Sequence, residues 1–505
     1  MSKVLIGKHT LESLTSGMYS DPYVVFREYI QNAVDSIDEA VEAGVINYGE
    51  EKIEISIYPL ERKIRISDNG IGLCEKVAEK SLISIGNSRK SLIKSRGFRG
   101  IGRLSALSYC KSIIFETTYK GEPVGTRVSF DAEKLSSILA DADTIDISVM
   151  DVLSSICTTQ QYKESVGNHY FNVTLIGIDD SSNLMNFPDV LEYVSQTAPV
   201  PYNPKGFSWG KEILQRLRQN NYILPQYNIS VICGKEKIDI YKPYKDHFLI
   251  DRNKNIYDSI QDISIHEIKN SDNVNMALVW VAKTNNFGTI LDRQVKGLRI
   301  RKGNILVGDN QTANIIFKDA RFNGWVIGEV FAFDPKLLPN ARRDNFEKNP
   351  AYFMLIEQLT TIAINLTREI RTASLSRNAE LANAVQNAES ISNKVEKALS
   401  EDIALNTKST ITQKMNNAQK TLENLKVNND TEGFFQEIAF EELDVLIGKV
   451  RGATAYKALN TLSSLTKTEK VVLERVLRTV YSNLTSDESQ KIIDLILQEF
   501  SLGRN

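Results

Sequence analysis

The chain has 505 residues, with 61 Lys and Arg against 63 Asp and Glu, for a formal net charge of −2. That balance offers no polyelectrolyte argument for nucleic acid, and no run approaches the ~18 apolar residues of a membrane span. Hydrophobic content of 42% is ordinary for a globular protein, and the length suits about three domains.

The first run, MSKVLIGKHTLESL, has too short an apolar stretch for a signal peptide, so a cytoplasmic protein is expected. Cys74, Cys110, Cys157 and Cys233 show no CxxC or zinc spacing and fit free thiols in a reducing compartment. Asp21-Pro22 then opens a predicted helix that runs to about Ala43. Phe26, Ile30, Ala33, Ile37 and Val41 fall on one face at spacings of three and four. Glu28, Asn32 and Asp35 share the opposite face. Such a face reads either as the wet side of an amphipathic helix or as chemistry. In the second case Glu28 is a general base for water and Asn32 an oxygen ligand for Mg²⁺, which needs few protein ligands when phosphates supply others.

Lys52–Tyr58 and Lys63–Ser67 alternate Ile53, Ile55, Ile57, Ile64 and Ile66 on one face and predict a β-hairpin. Asp68 stands at its end, followed by the turn sequence DNGIG, in which Gly70 and Gly72 permit positive φ and close ligand approach. A buried carboxylate there could accept a hydrogen bond from the exocyclic amine of adenine. Ser84–Ser91 (SIGNSRKS) and Gly97–Gly102 (GFRGIG) follow, the latter leading into an apolar helical stretch. Glycine-rich backbone before a helix binds anions, and Arg89, Lys90, Arg96, Arg99 and Arg103 make the segment basic. The spacing is neither that of a Rossmann fingerprint nor that of a P-loop.

Together these residues resemble the GHKL superfamily: gyrase, the ninety-kilodalton heat-shock chaperone, histidine kinases and MutL. The N-box is Glu28, Asn32, Ala33 and Asp35. The DxGxG box is Asp68, Gly70 and Gly72, and the lid box is Gly97, Gly100 and Gly102. Gly125-Thr126 matches the strand whose Thr helps hold the adenine-binding Asp and a water. The resemblance implies a Bergerat-type α/β sandwich that binds ATP and Mg²⁺. Glu28 would activate water, Asn32 would ligate Mg²⁺ and Asp68 would read adenine. The nucleotide-binding set would also hold Asp35, Gly70, Gly72, Asn87, Ser88, Lys90, Gly97, Gly100, Ile101, Gly102 and Thr126. Glu28 points to hydrolysis rather than relay to a phosphoacceptor His.

A Pro cluster at 199, 201 and 204 marks a junction, which ends the first domain at 205. Residues 206–350 mix strands (YNISVICG, MALVWVAKT, WVIGEVFAF) with short helices. LLPNARRDNFE resembles the middle domain of the heat-shock-chaperone branch, where an Arg reaches the γ-phosphate. Arg343 takes that place, with Arg342 beside it, and Lys296 or Lys302 is the alternative seen in gyrase and MutL. All twelve prolines lie at or before 350 and only four of 27 glycines lie beyond it. Residues 351–505 therefore predict an all-α region: a long helix from about 351 to 400, a helical domain broken near Asn428–Gly433, and two amphipathic helices after Thr468. The expected fold class is α+β with three parts.

The resemblance implies an ATP-hydrolysing, nucleotide-gated clamp that dimerises through its N-terminal domains and acts on a protein client or effector partner, in a bacterial stress or defence setting. Residues 1–20 would be a strap exchanged between protomers. The alternatives are a DNA-associated ATPase of the MutL, MORC or topoisomerase kind, and a nucleotide sensor with negligible turnover.

Overall fold

The computed structural model describes residues 6–14, 21–84, 102–141, 147–252, 255–375, 378–400, 403–427, 430–453, 455–456, 466–484, 491–492 and 495–496. Two compact units are present: residues 1–285 with 289–367, and residues 286–288 with 368–505.

The first unit contains two sheets. Strands β1 (Ile53–Tyr58) and β2 (Lys63–Asp68) form the predicted antiparallel hairpin, joined by a 3₁₀ turn over Pro59–Glu61. Their isoleucines alternate, and Ile53, Ile55, Ile57, Ile64 and Ile66 are all buried, as a half-covered sheet requires. The sheet is completed by β3 (Ser112–Thr118), β4 (Val124–Asp131), β5 (Cys157–Lys163), β6 (Tyr170–Ile176), β7 (Ile229–Cys233) and β8 (Glu236–Asp239). Its order is β5-β4-β3-β6-β2-β1-β7-β8. Strand β7 runs parallel to β1, so this sheet takes in residues 229–239, beyond the junction expected at 205. The Pro cluster bends the chain without ending the sheet.

Helices α1 (His9–Leu14), α2 (Val24–Glu42), α3 (Glu75–Ile83), α4 (Ala132–Ala140), α5 (Val149–Ile156), α6 (Phe187–Thr197) and α7 (Gly210–Gln219) accompany these strands. Helix α2 buries Phe26, Ile30, Ala33 and Ile37 in the same core as the hairpin isoleucines. It begins two residues later than its Asp-Pro signal. Asp21 accepts a hydrogen bond from Tyr23 N at 3.0 Å, which spends its carboxylate in a local turn rather than on the helix proper. The N-terminal stretch docks on its own chain. Gly7 pairs with Ser148, Leu11 is fully buried, and Lys8 Nζ donates to Ile138 O at 2.7 Å near the end of α4.

The second sheet holds β9 (His247–Asp251), β10 (Ile256–Lys269), β11 (Asn275–Thr284), β12 (Gly297–Lys302), β13 (Ile305–Leu306) and β14 (Ile327–Ala332), in the order β13-β12-β14-β11-β10-β9. A buried ionic cluster ties it to α6. Glu329 accepts from Lys242 Nζ at 2.8 Å, from Tyr202 OH at 2.7 Å, from Trp280 Nε1 at 3.2 Å and from Arg301 Nε. Arg301 also donates to the α6 carbonyl Gln196 O at 2.7 Å. Burial and the neighbouring Arg301 push Lys242 down to about 7. Although burial opposes ionisation of Glu329, Arg301 and Lys242 outweigh it and hold its carboxyl at about 2.

In the second unit, α9 (Ala379–Ser400), α10 (Leu405–Asn424) and α11 (Asp430–Gly452) pack around Leu381, Val385, Met415, Leu422, Leu443 and Ile447. The single helix expected over 351–400 is two: α8 (Pro350–Leu375), whose end from Arg368 belongs to this unit, and α9. Asn378 Oδ1 accepts from Leu381 N at 3.1 Å. A side-chain cap of this kind starts a new helix where apolar periodicity alone reads straight through. The break expected at Asn428–Gly433 comes earlier: α10 ends at Asn424 and α11 begins at Asp430, so 430–433 form its first turn. Helix α12 (Lys467–Asn483) carries a capping box of Thr466 and Glu469. Most of the last predicted helix lies outside the described residues.

Candidate nucleotide site

Helix α2 presents Glu28, Asn32 and Asp35 on one face. Glu28 and Asp35 are buried and Asn32 is half-buried. Only 5% of Glu28 is exposed, and its Oε1 accepts from Arg343 Nε at 2.8 Å. Arg343 lies 315 residues away in the chain but within the same compact unit. The segment that carries it folds back on itself: Pro339 bridges Phe346, Asn340 N donates to Asn345 O at 2.8 Å, and Gly308 N donates to Arg343 O at 2.8 Å. Leu337 and Phe346 anchor it in apolar surroundings. Arg343 adopts φ +57°, a left-handed conformation that costs a residue with a Cβ about 1–2 kcal/mol. Strain of this sort persists where the surroundings enforce it and clusters at functional sites. Arg342 is exposed.

Arg27, just before Glu28, secures the same segment. Its Nη2 donates to Arg342 O at 3.0 Å and its Nη1 to Arg343 O at 3.4 Å. One turn further along, Gln31 is 1% exposed, and among the described residues neither end of its carboxamide has a hydrogen-bond partner. Helical periodicity marks both positions as polar. Nothing in the sequence reveals their burial, and the segment that Arg27 holds is some 300 positions distant.

The glycine boxes reach the same place. A Cβ on Gly102 would lie 1.9 Å from Glu28 Oε2, so any larger residue would displace the carboxylate. Gly72 has φ +70°, and a Cβ there would sit 2.0 Å from Thr118 O. Asp68 is buried, and its Oδ1 accepts from Gly70 N at 2.9 Å. Ile71 N donates to Ser36 O at 3.0 Å, which fastens this turn to α2. Tyr29 OH donates to Arg103 O at 2.8 Å, and Arg103 donates to Ser84 O at 2.6 Å and to Ser81 O. Burial pulls the Arg103 guanidinium down to about 10. Asn87, Ser88, Lys90, Gly97, Gly100 and Ile101 lie outside the described residues.

Thr126 is not brought to Asp68. It is buried on β4, opposite Thr117 on β3. Thr117 is opposite Phe171 on β6, and Phe171 is opposite Asp68. Two strands therefore intervene, a separation of about 14 Å at the usual strand spacing. A Gly-Thr pair in a strand is common chemistry and does not reveal which strand neighbours which. The groups beside the Asp68 turn are others: Thr117 Oγ1 accepts from Leu73 N at 2.8 Å, and His169 Nδ1 lies 2.8 Å from Gly70 O. Lys302 Nζ is spent on Asp334 O at 2.6 Å; it is Arg343 that touches Glu28.

Among the described residues no cluster of three or more His, Cys, Asp or Glu side chains could hold a metal by itself. The donor set, one half-buried carboxamide beside two buried carboxylates, fits a cation that arrives on phosphates rather than one caged by protein. No described helix is long and apolar enough to cross a membrane.

Residues 19–160 match the family described as histidine kinase-, DNA gyrase B- and HSP90-like ATPase. This part of the chain is similar to the ATPase domains of that superfamily, and the mixed sheet with its covering helices is consistent with their α+β fold. More particularly, it is similar to curated proteins named Chaperone protein HtpG. The one from Alkaliphilus oremlandii is 30% identical over 121 residues, 22% of this chain and 19% of the relative. Those from Buchnera aphidicola and Acinetobacter baylyi are 31% and 29% identical over 133 and 136 residues, each 23% of this chain and 21% of the relative. The chain thus spans about a fifth of the length of the curated relatives it matches.

Proposed function

We propose that this protein is an Mg²⁺-dependent ATPase that works as a nucleotide-gated clamp of the heat-shock-chaperone-like type, on a protein client or effector partner. The observation that carries the reading is the buried contact between Glu28 of the ATPase domain and Arg343 of the second sheet's domain. A carboxylate and a guanidinium brought together at 2.8 Å from parts of one compact unit that lie 315 residues apart support a site that is complete only when both segments are in place.

When bound, Mg²⁺ would neutralise phosphate charge, with Asn32 as its protein ligand. Asp68 would accept from the adenine amine. Glu28 would take a proton from water, the water oxygen would bond to the γ-phosphorus, and the bond from that phosphorus to the bridging oxygen would break with its electron pair leaving on ADP. Arg343 would move from Glu28 to the phosphate, where a guanidinium from a second domain is worth about 10³–10⁵ in rate. A dimer closing through N-terminal domains and a strap over residues 1–20 belong to the same proposal.

The Glu28–Arg343 pair also favours a second reading. A site that kept Arg343 on Glu28 with ATP bound would withhold the guanidinium from the phosphate, and would sense nucleotide without turning it over. Turnover by the parent, Glu28→Ala and Arg343→Ala decides between the two. A parent that binds ATP without hydrolysing it establishes the sensor, whereas hydrolysis by Glu28→Ala at the parental rate removes Glu28 as the base. For the clamp, a non-hydrolysable ATP analogue should change mass in solution or N-terminal cross-linking, and no change in either refutes it.

A further inference from the structure

Buried polar atoms without a hydrogen-bond partner among the described residues occur at several places in this unit, and one turn of α2 holds three of them beside Glu28. They are Gln31 Nε2, Gln31 Oε1 and Arg27 Nε. A buried donor or acceptor without a partner costs about 1–3 kcal/mol each, so folding alone gives no reason to keep a glutamine here. Gln31 follows Glu28 at i+3, which places it one turn further along and about 60° round the helix, with Cβ atoms about 5–6 Å apart. It lies four residues after Arg27 and four before Asp35. Arg27 marks the side of α2 against which Arg342 and Arg343 rest. Round the axis of α2 the unmet carboxamide therefore falls between the direction of Glu28 and that of Arg27, one turn further along the helix.

We propose that Gln31 is a positioning residue for the water that Glu28 activates, an inference that rests on the ATPase reading above. A carboxamide suits this place for three reasons. It offers a donor and an acceptor together, which one water satisfies; a phosphate oxygen would satisfy only the donor. It is neutral, so it neither repels a triphosphate nor competes with Arg343 for Glu28. It does not titrate, so its hydrogen bonds hold across pH. Glu28 Oε1 is occupied by Arg343 in the present structure. Once that oxygen is released, Glu28 and Gln31 can grip one water from two adjacent turns. Gln31 forms no bond to the reacting atoms and carries no proton; it fixes where the water oxygen sits.

The test compares the parent, Gln31→Met, Gln31→Glu and Glu28→Ala in the full chain, measuring ATP turnover, ATP affinity and the melting temperature without nucleotide. Gln31→Met keeps the volume and removes the unmet atoms, so it should melt no lower than the parent. Its affinity should stay within about twofold while kcat falls about 10- to 100-fold. In Gln31→Glu a protonated carboxyl restores donor and acceptor, so turnover relative to the parent should climb as pH falls. Parental kcat in Gln31→Met overturns the proposal, as do melting temperature and affinity that fall together with turnover. Should Gln31→Met not fold, a flat pH ratio for Gln31→Glu overturns it. Parental turnover in Glu28→Ala would instead overturn the base assignment, whatever the Gln31 variants do.

Discussion

The Glu28–Arg343 contact can be measured without any nucleotide. The two side chains are 7% and 11% exposed and meet at 2.8 Å. Coulomb's law at an effective dielectric of about 20 gives roughly 6 kcal/mol of attraction at that distance. Desolvation of both groups takes back a large part, which leaves a coupling of about 1.5–3 kcal/mol. Either single change strands the other group. Arg343→Met leaves a buried carboxylate, and Glu28→Gln leaves a buried guanidinium on a backbone held at φ +57°. Each should cost about 2–4 kcal/mol, and the double variant should cost less than the two combined. A compact unit of this size loses about 1 °C for each kcal/mol, so each single variant should melt a few degrees lower, with part of that loss recovered in the double. Differential scanning calorimetry of the four proteins at one pH and two salt concentrations reads the cycle. Because the pair is buried, the coupling should change little with salt. Strict additivity of the two changes, or a coupling that vanishes at high salt, would refute the contact and with it the proposed site.

Three further outcomes follow from named contacts. Gly102→Ala places a Cβ 1.9 Å from Glu28 Oε2; the carboxylate must move, so turnover should fall about 10²-fold with less effect on ATP affinity, and parental kcat would show that Gly102 does not abut the working carboxylate. Asp68→Asn keeps an acceptor for Gly70 N but puts a donor where an adenine amine would point, so binding should shift from ATP towards GTP; an unchanged preference in competition assays removes Asp68 from base reading. The buried cluster around Glu329 predicts a pH dependence of melting. Glu329 is held at about 2, below its unfolded value, so its contribution is complete above the unfolded carboxyl range and lost as pH falls towards 2. Lys242 sits at about 7, below its unfolded value, so between about 7 and 10 the unfolded chain binds more protons and stability rises with pH. Lys242→Met should flatten that rise, and a slope unchanged in the variant would clear Lys242 of it.

Much of the local structure was readable from spacing alone. The hairpin isoleucines, the apolar stripe of α2 and the change of composition at Pro350 are local signals, because burial on one face imposes a period of two or of 3.6. The Asp68 turn and the glycine at 102 were also legible as motifs, and a Cβ at Gly72 or at Gly102 would meet Thr118 O or Glu28 Oε2. The Thr126 expectation failed for a definite reason: a strand's sequence describes its two faces and says nothing of its neighbours, and here β3 and β6 stand between Thr126 and Asp68. The 351–400 helix was read as one because its apolar period continues through the Asn378 cap.

What residues in sequence determined was the kind of chemistry available: an acid, an amide and a second acid on one helix face, an Asp before a glycine turn, an Arg after Leu-Pro. Tertiary structure alone decided which of these meet. Arg343 reaches Glu28 across 315 positions, Arg27 holds the segment that delivers it, and Gln31 is buried with its amide unmet among the described residues. Local periodicity reports which face of an element is buried, but the identity of what covers that face is a property of chain topology, and no window of sequence contains it.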